Sequence, residues 1–320
     1  MASDRPGQGS AKRQQNNGPD TPERVQKLLA RAGVGSRREI EGWMESGRLT
    51  VNGQQVSPGQ KATVQDRFEL DGKRLDVTGA ADVLRRVLIY NKPEGEVTTR
   101  KDPEGRPTVF DRLPRLKDRR WVSIGRLDIN TTGLVLFTTD GELANRLMHP
   151  SGEIDREYAV RIFGEVDEAM IERLMEGVLL EDGMAKFTDI TPAGGSGMNQ
   201  WFHVTLLEGR NREVRRLWES QGVKVSRLKR VRYGPIFLPS RLTVGKWEEL
   251  DQKAVDLLSR TVGLDPVQIP AKTPGEKAAH DRRRRKAPSR PGRKAGANKW
   301  QVADSAPEKV KSRGRPGSRK

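Results

Sequence analysis

Only the middle of this chain can build a hydrophobic core. Both ends of the 320 residues are poor in large apolar side chains, while the stretch between them has an ordinary supply. Residues 1–20 are mostly Gly, Ser, Asn, Gln and Pro, a composition that cannot bury enough apolar surface to fold, so disorder is expected there. After about Gly263 the chain turns to Pro, Ala, Lys and Arg, with Arg282 to Arg285 consecutive, and residues 263–320 are expected to be a disordered basic tail. Net charge is +17, and residues 271–320 hold 17 Lys and Arg against 4 Asp and Glu, a net of +13. The rest of the chain carries only +4. A basic tail on a nearly balanced body points to a polyanion, most often nucleic acid; a solubilising segment is the alternative for the tail taken alone.

Several chemistries are excluded early. The chain has no cysteine, so disulfides and thiolate metal sites are impossible, which fits a reducing cytoplasm. Its histidines, His149, His203 and His280, lack metal-ligand spacing, and no metal is expected. The opening MASDRPGQGSAKRQQNNGPD has no apolar stretch and does not read as a signal peptide. No run approaches the ~18 apolar residues that would span a membrane.

Structure is expected to begin at Thr21-Pro22, an N-cap followed by proline in a first helical turn. Val25, Leu28, Leu29 and Ala32 share one helical face, and Gly33 ends that helix. Ser36 to Glu39 has the form of a capping box for a second helix with Ile40, Trp43 and Met44 inward, closed by Gly47. Asn52-Gly53 supplies the positive φ angles of a tight hairpin, and Asp71-Gly72 marks another turn. This stretch, RVQKLLARAGVGSRREIEGWMESGRLTVNGQQV, resembles an S4 RNA-binding domain, assigned to residues 21–82. The resemblance implies that Arg31, Arg37, Arg38 and Arg48, with Lys27 nearby, face RNA phosphates. Without it, a solvated helix face is the simpler reading.

A second domain is expected over residues 83–262. RRVLIYNKP, IDREYAVRIFG, WFHVTLLEG, VSRLKRVRYGP and LTVGKWEEL read as strands. Helices are expected near Val109, after Thr139, from about Asp167 to Met175, and over NREVRRLWESQG. Strands and helices mix without strict βαβ order, which predicts an α+β domain with a mixed, mostly antiparallel sheet.

The segment GRLDINTTGL, residues 125–134, carries the chemistry. An aspartate in a loop is usually a turn former. The whole string, however, resembles the signature of the RsuA/RluB/RluE/RluF family of ribosomal pseudouridine synthases, whose catalytic aspartate falls at Asp128. YNKPEGEVTTRKDPEGRPTVFDRLP resembles the family's opening motif, REYAV places Tyr158 at its active-site tyrosine, and EGRNREVRRL places Val214 and Arg215 at its apolar wall and basic partner of the aspartate. The resemblance covers residues 22 to about 260, and within the family is nearest to the branch that acts on large-subunit RNA.

The implied reaction breaks the N1–C1′ bond of a uridine, turns the uracil and rejoins it through C5. No redox change or group transfer occurs, so no cofactor is expected. Asp128 is expected as nucleophile or as base at the 2′ position, with Arg215 as counter-ion. Tyr158 is expected to stack on the uracil and help remove the C5 proton. Family analogy places Arg126 in the space that the flipped uridine vacates. Lys92, Arg100, Arg106 and Arg112 are expected to track phosphates. The implied partner is 23S ribosomal RNA or a large-subunit precursor, in its peptidyl-transferase region, acted on by a cytoplasmic monomer. Three other classes compete: a non-catalytic RNA-binding or ribosome-assembly factor, a glycosidase that releases free base using Asp140 or Asp155 as second carboxylate, and a metal nuclease, for which no ligand spacing is visible.

Overall fold

Residues 21–77, 85–116 and 119–269 are described by a computed structural model. The expected disorder of residues 1–20 lies outside them, as does the tail from 270 onward. The first module runs β1 Glu23–Arg24, α1 Val25–Arg31, α2 Arg37–Glu45, β2 Leu49–Val51, β3 Gln54–Gln55, β4 Lys61–Ala62, β5 Phe68–Leu70 and β6 Lys73–Arg74. Ser36 and Glu39 form the capping box in full, each side chain accepting from the other's backbone N–H. Asn52 and Gly53 take φ of 53° and 82°, as the β2–β3 hairpin requires. The first helix starts later than Thr21-Pro22 suggests. Glu23 and Arg24 are drawn into antiparallel pairing with β4, and Val25 donates to the Gln60 carbonyl, so the helix opens only at Val25. Val25, Leu28, Leu29, Ile40, Leu49 and Phe68 bury a small separate core.

The second module contributes β7 Val87–Lys92, β8 Val122–Ile124, β9 Thr132–Thr138, α3 Gly141–Met148, β10 Arg156–Phe163, α4 Glu168–Glu176, β11 Val178–Leu180 and β12 Gly183–Ala185. It continues with β13 Asp189–Ser196, β14 Asn199–Leu206, α5 Glu213–Glu219, β15 Lys224–Tyr233, β16 Ile236–Phe237, β17 Trp247–Glu249 and α6 Gln252–Thr261. Nine strands form one sheet in the order β13-β14-β10-β15-β9-β7-β17, with β16 on β15 and β8 on β9. Every pairing is antiparallel except β15 with β9, where Lys229 faces Thr132 and Arg230 faces Gly133. The fold is therefore α+β with a mixed, mostly antiparallel sheet.

The central strands are covered on both faces. Leu88 and Tyr90 of β7 with Val135 and Phe137 of β9 join a core shared with β10, β14, α4 and α5. Val87, Ile89, Leu134 and Leu136, at the alternate positions, pack under α3 and α6. The segment near Val109 is one 3₁₀ turn, Val109–Arg112, rather than a longer helix. Strand β13 escapes the sequence pattern because it contains Pro192 and a Gly-Gly pair; it is an edge strand, where a missing N–H and a bulge at Pro192/Gly194 are tolerated.

The chain does not leave the body at Gly263. Arg85 donates to the Asp265 carbonyl, Arg146 to those of Val262 and Gly263, and Gln252 exchanges hydrogen bonds with Val267 and Ile269. Leu264 and Ile269 pack against the α3–α6 core, apolar contacts that the surrounding prolines and charges obscure in the sequence. No helix among the described residues is long and apolar enough to cross a membrane.

Candidate active site

Asp128 sits in the loop that joins β8 to β9, and the backbone of that loop is held from outside at residue after residue. Lys92, at the end of β7, has no exposed surface. Its ammonium donates to the carbonyls of Asp128 at 3.0 Å, Thr131 at 2.9 Å and Pro93 at 3.0 Å, with Ile129 at 3.4 Å. Thr98 Oγ1 donates to the Leu127 carbonyl at 2.9 Å, the Gly95 N–H to Ile129 at 2.9 Å, and Arg215 Nη2 to Asn130 at 2.9 Å. Each carbonyl from Leu127 to Thr131 thus has a donor. Burial pulls the Lys92 ammonium down to about 8, while Glu96, Asp128 and Glu94 oppose that shift.

The Asp128 side chain is treated differently. It is half-buried, and its carboxylate has no hydrogen bond or ion pair among the described residues. A locked backbone carrying an unengaged carboxylate is what a reacting group needs: its position is fixed while its oxygens stay available.

A cleft of about 620 Å³ opens over the loop, with Arg126, Asp128, Tyr158, Val214, Arg156 and Arg230 among its lining residues. Tyr158 lies on β10 opposite Arg230 of β15 and Val204 of β14. Two further carboxyls, Glu208 and Glu213, line the same cleft. Burial raises the Glu213 carboxyl above the usual range; its Oε2 accepts from the Arg210 N–H and its Oε1 has no hydrogen-bond partner among the described residues.

Comparison with known proteins gives the family of the chain. The model of the RNA pseudouridylate synthase family matches residues 86–220, and that of the S4 domain matches residues 23–68. The Ribosomal large subunit pseudouridine synthase B of Pseudomonas aeruginosa is 61% identical over 277 residues, spanning 85% of this chain and 72% of that protein. The chain belongs to the RNA pseudouridylate synthase family. The protein of the same name from Escherichia coli strain K12 is 57% identical over 267 residues, 83% of this chain and 90% of that one. A solved pseudouridylate synthase aligns with 73% of this chain and 99% of its own length, at a TM-score of 0.53 and 26% identity.

In this pseudouridine synthase the expected site residues meet different fates. Asp128, Tyr158, Val214 and Arg126 converge on the cleft, and Arg126 is exposed with no hydrogen-bond or ion-pair partner among the described residues. Arg215 does not reach the Asp128 carboxylate within 4.0 Å. Its guanidinium donates to the carbonyls of Val225 and Asn130. Burial lowers its pKa, Arg212 adds to that, and the charge of Asp128 works against it. Arg215 therefore acts on the loop backbone and, through space, on Asp128.

Lys92 departs furthest from expectation. A lysine after a strand reads as a surface cation, but this one is inside the protein and cannot track phosphates. Arg106 is paired with Asp102 and Glu104, and Arg112 with Glu96. Arg100 stacks on Phe110 at 4.4 Å and donates to the Trp121 carbonyl. In the S4 module Arg31 pairs with Glu23, Arg48 with Asp71, and Lys27 with Glu23 and with Glu142 of α3. Arg37 and Arg38 are exposed and form no hydrogen bond or ion pair among the described residues. The carboxylates considered for base release are structural: Asp140 caps α3 and pairs with buried Arg85, and Asp155 pairs with Arg232.

Sequence reasoning missed Arg156, Arg230 and Tyr233. A signal exists: Arg156 shares a face with Tyr158, Val160 and Ile162 of β10, where a purely structural strand would carry another apolar residue.

Proposed function

We propose that this enzyme isomerises one uridine to pseudouridine in 23S ribosomal RNA, in the peptidyl-transferase region, with Asp128 as its catalytic carboxylate. The observation that carries the reading is the locked Asp128 backbone beneath an unengaged carboxylate, in a cleft that also holds Tyr158. The relatives named for the large ribosomal subunit support the substrate class.

The target uridine leaves its stack, at a cost of a few kcal/mol, and enters the cleft. Arg126 fills the space left behind, and Tyr158 stacks on the uracil. Asp128 acts at C1′ or at the 2′ position, the N1–C1′ bond breaks, and the turned uracil rejoins through C5. Val214 forms an apolar wall, and Arg215 supplies positive field from behind the loop. Arg37 and Arg38 of the S4 module, with Arg31 and Arg48, meet RNA phosphates, and the basic tail adds counterion-releasing contacts. The enzyme works as a cytoplasmic monomer without a cofactor.

Asp128→Asn tests this directly. It preserves shape and removes the charge, so turnover on unmodified large-subunit RNA should vanish in single-turnover assays while RNA affinity stays within a few-fold. Retained turnover would remove Asp128 from its role. Mapping pseudouridine in RNA treated with the native enzyme identifies the position.

A further inference from the structure

Two arginines stand on the core-facing side of the cleft strands, and they differ in one respect. Arg156 uses both terminal nitrogens: its Nη1 donates to the carbonyls of Ile154 and Leu207 and its Nη2 to the Tyr233 hydroxyl. Arg230 is 2% exposed and donates Nε to the Leu134 carbonyl at 2.7 Å, yet among the described residues neither Nη1 nor the buried Nη2 has a hydrogen-bond partner. Both guanidinium groups lie 5.1 Å from the centre of the Tyr233 ring. A buried donor left unpaired is costly, and native proteins keep few of them.

A β-bulge puts Arg230 there. Arg156 pairs with Tyr233 and Glu157 with Arg232, but Tyr158 pairs with Arg230, so Val231 is the extra residue. In a regular strand Arg230, three positions from Tyr233, would face the other side of the sheet. The extra residue turns it inward, directly across from Tyr158. The strand leaving the Asp128 loop runs against the same residue, since Gly133 pairs with Arg230, and a Cβ on Gly133 would come within 2.3 Å of the Arg230 carbonyl oxygen. Arg230 is thus fixed between the two elements that carry Tyr158 and Asp128.

We propose that Arg230 is a further catalytic residue, its guanidinium lining the cleft and donating a free N–H to a carbonyl oxygen of the uracil stacked on Tyr158, so stabilising the uracil anion of the reaction. This rests on the reading of the cleft given above. In either role of Asp128, heterolysis of N1–C1′ leaves the bonding pair on uracil, spread over N1, O2 and O4. As nucleophile, Asp128 bonds to C1′ when uracil leaves and is displaced when C5 attacks C1′; as base, it takes the 2′ proton and returns it as C5 bonds to C1′. In both cases C5 then loses its proton and N1 gains one, so atoms and charge balance. A guanidinium donor at O2 or O4 acts when the charge is largest, which is where a preorganised donor lowers a barrier.

The test is an atom-substitution cycle in single-turnover assays at saturating enzyme. Native enzyme and Arg230→Gln are each given RNA with uridine, 2-thiouridine or 4-thiouridine at the target position. Sulfur is a poor acceptor, so one thio substitution should slow the native enzyme and leave Arg230→Gln unaffected, the non-additivity expected of partners in contact. On uridine, Arg230→Gln should be slower by on the order of 10²-fold, as for loss of one oxyanion donor. Equal thio effects in both proteins at both positions, or a native rate for Arg230→Gln, overturns the assignment. If circular dichroism shows that Arg230→Gln does not fold, Arg230→Lys carries the test, because it keeps the charge and should show a weaker thio effect at the same position. Asp128→Asn in the same assay separates the two readings: an inactive Asp128→Asn with a flat thio cycle removes only Arg230, and an active one removes the cleft reading itself.

Discussion

The Asp128 loop and the outward face of the S4 helices are both polar, and they are built on opposite plans. In the loop, carbonyls from Leu127 to Thr131 are each engaged by donors from other elements, Lys92 and Arg215 among them. On the S4 face, Arg37 and Arg38 stand in solvent. The first plan fixes the backbone that carries one carboxylate. The second gathers a polyanion through charges that need no fixed geometry and that salt screens. Catalytic placement and RNA capture should therefore fail separately when each is disturbed.

Among tests of this contrast, the largest effect should follow Lys92→Met, which removes the donor shared by the Asp128 and Thr131 carbonyls. The Asp128 carbonyl keeps the Thr131 N–H, but the Thr131 carbonyl loses its donor, and a buried acceptor left unpaired costs about 1–3 kcal/mol, to be read from chemical denaturation. A misplacement near 1 Å lowers rate by on the order of 10²-fold. RNA affinity should hardly change; a loss of affinity equal to the loss of rate would erase the contrast. The same residue gives a pH signature. Its value of about 8 in the fold lies below the ordinary 10.5, so between those two pH values the unfolded chain binds more protons and stability rises with pH. Rate should move the other way, falling as pH passes about 8 and the loop loses a donor proton. Lys92→Arg should lack that limb of the rate profile.

A smaller effect is expected from replacing Arg37 and Arg38 together by Ala. The RNA concentration for half-maximal rate should rise several-fold with the saturated rate intact, the signature of lost uniform binding. The slope of log affinity against log salt should shrink by about 0.7–0.9 for each phosphate contact removed. An unchanged slope would take these two residues off the RNA. Smallest of all should be Arg48→Ala, since Arg48 already donates twice to Asp71. Its change in salt slope should fall below that of the Arg37/Arg38 pair divided by two, and a larger change would mean that RNA displaces Asp71.

How much of this is legible in the sequence depends on how local the cause is. The Ser36–Glu39 box and the Asn52-Gly53 turn are decided within a few residues, and both are read correctly. Asp128, Tyr158 and Val214 are legible through long motifs and meet at one cleft. Lys92 is misread because its burial depends on strands β9 and β17 flanking β7, which no local pattern records. Its place at the end of VLIYNK, a strand buried along its whole length, was the available clue. Arg230 is hidden for a different reason: the bulge at Val231 breaks the two-residue period on which inward and outward positions are assigned. The packed residues 263–269 were lost among charges and prolines because their partners, Arg85, Arg146 and Gln252, are distant in sequence or masked by a polar identity.

Gly133 has a consequence for how such a loop can be transplanted or inherited. Because no side chain fits between this position and the Arg230 backbone, GRLDINTTGL is not a portable cassette. A graft of residues 125–134 onto another scaffold would arrive without the surface that it was cut to fit, and recombination breakpoints between β9 and β15 would separate two halves of one joint. The smallest transferable unit is the loop together with the parallel strand beside it, although the chain takes more than ninety residues to travel from Gly133 to Arg230.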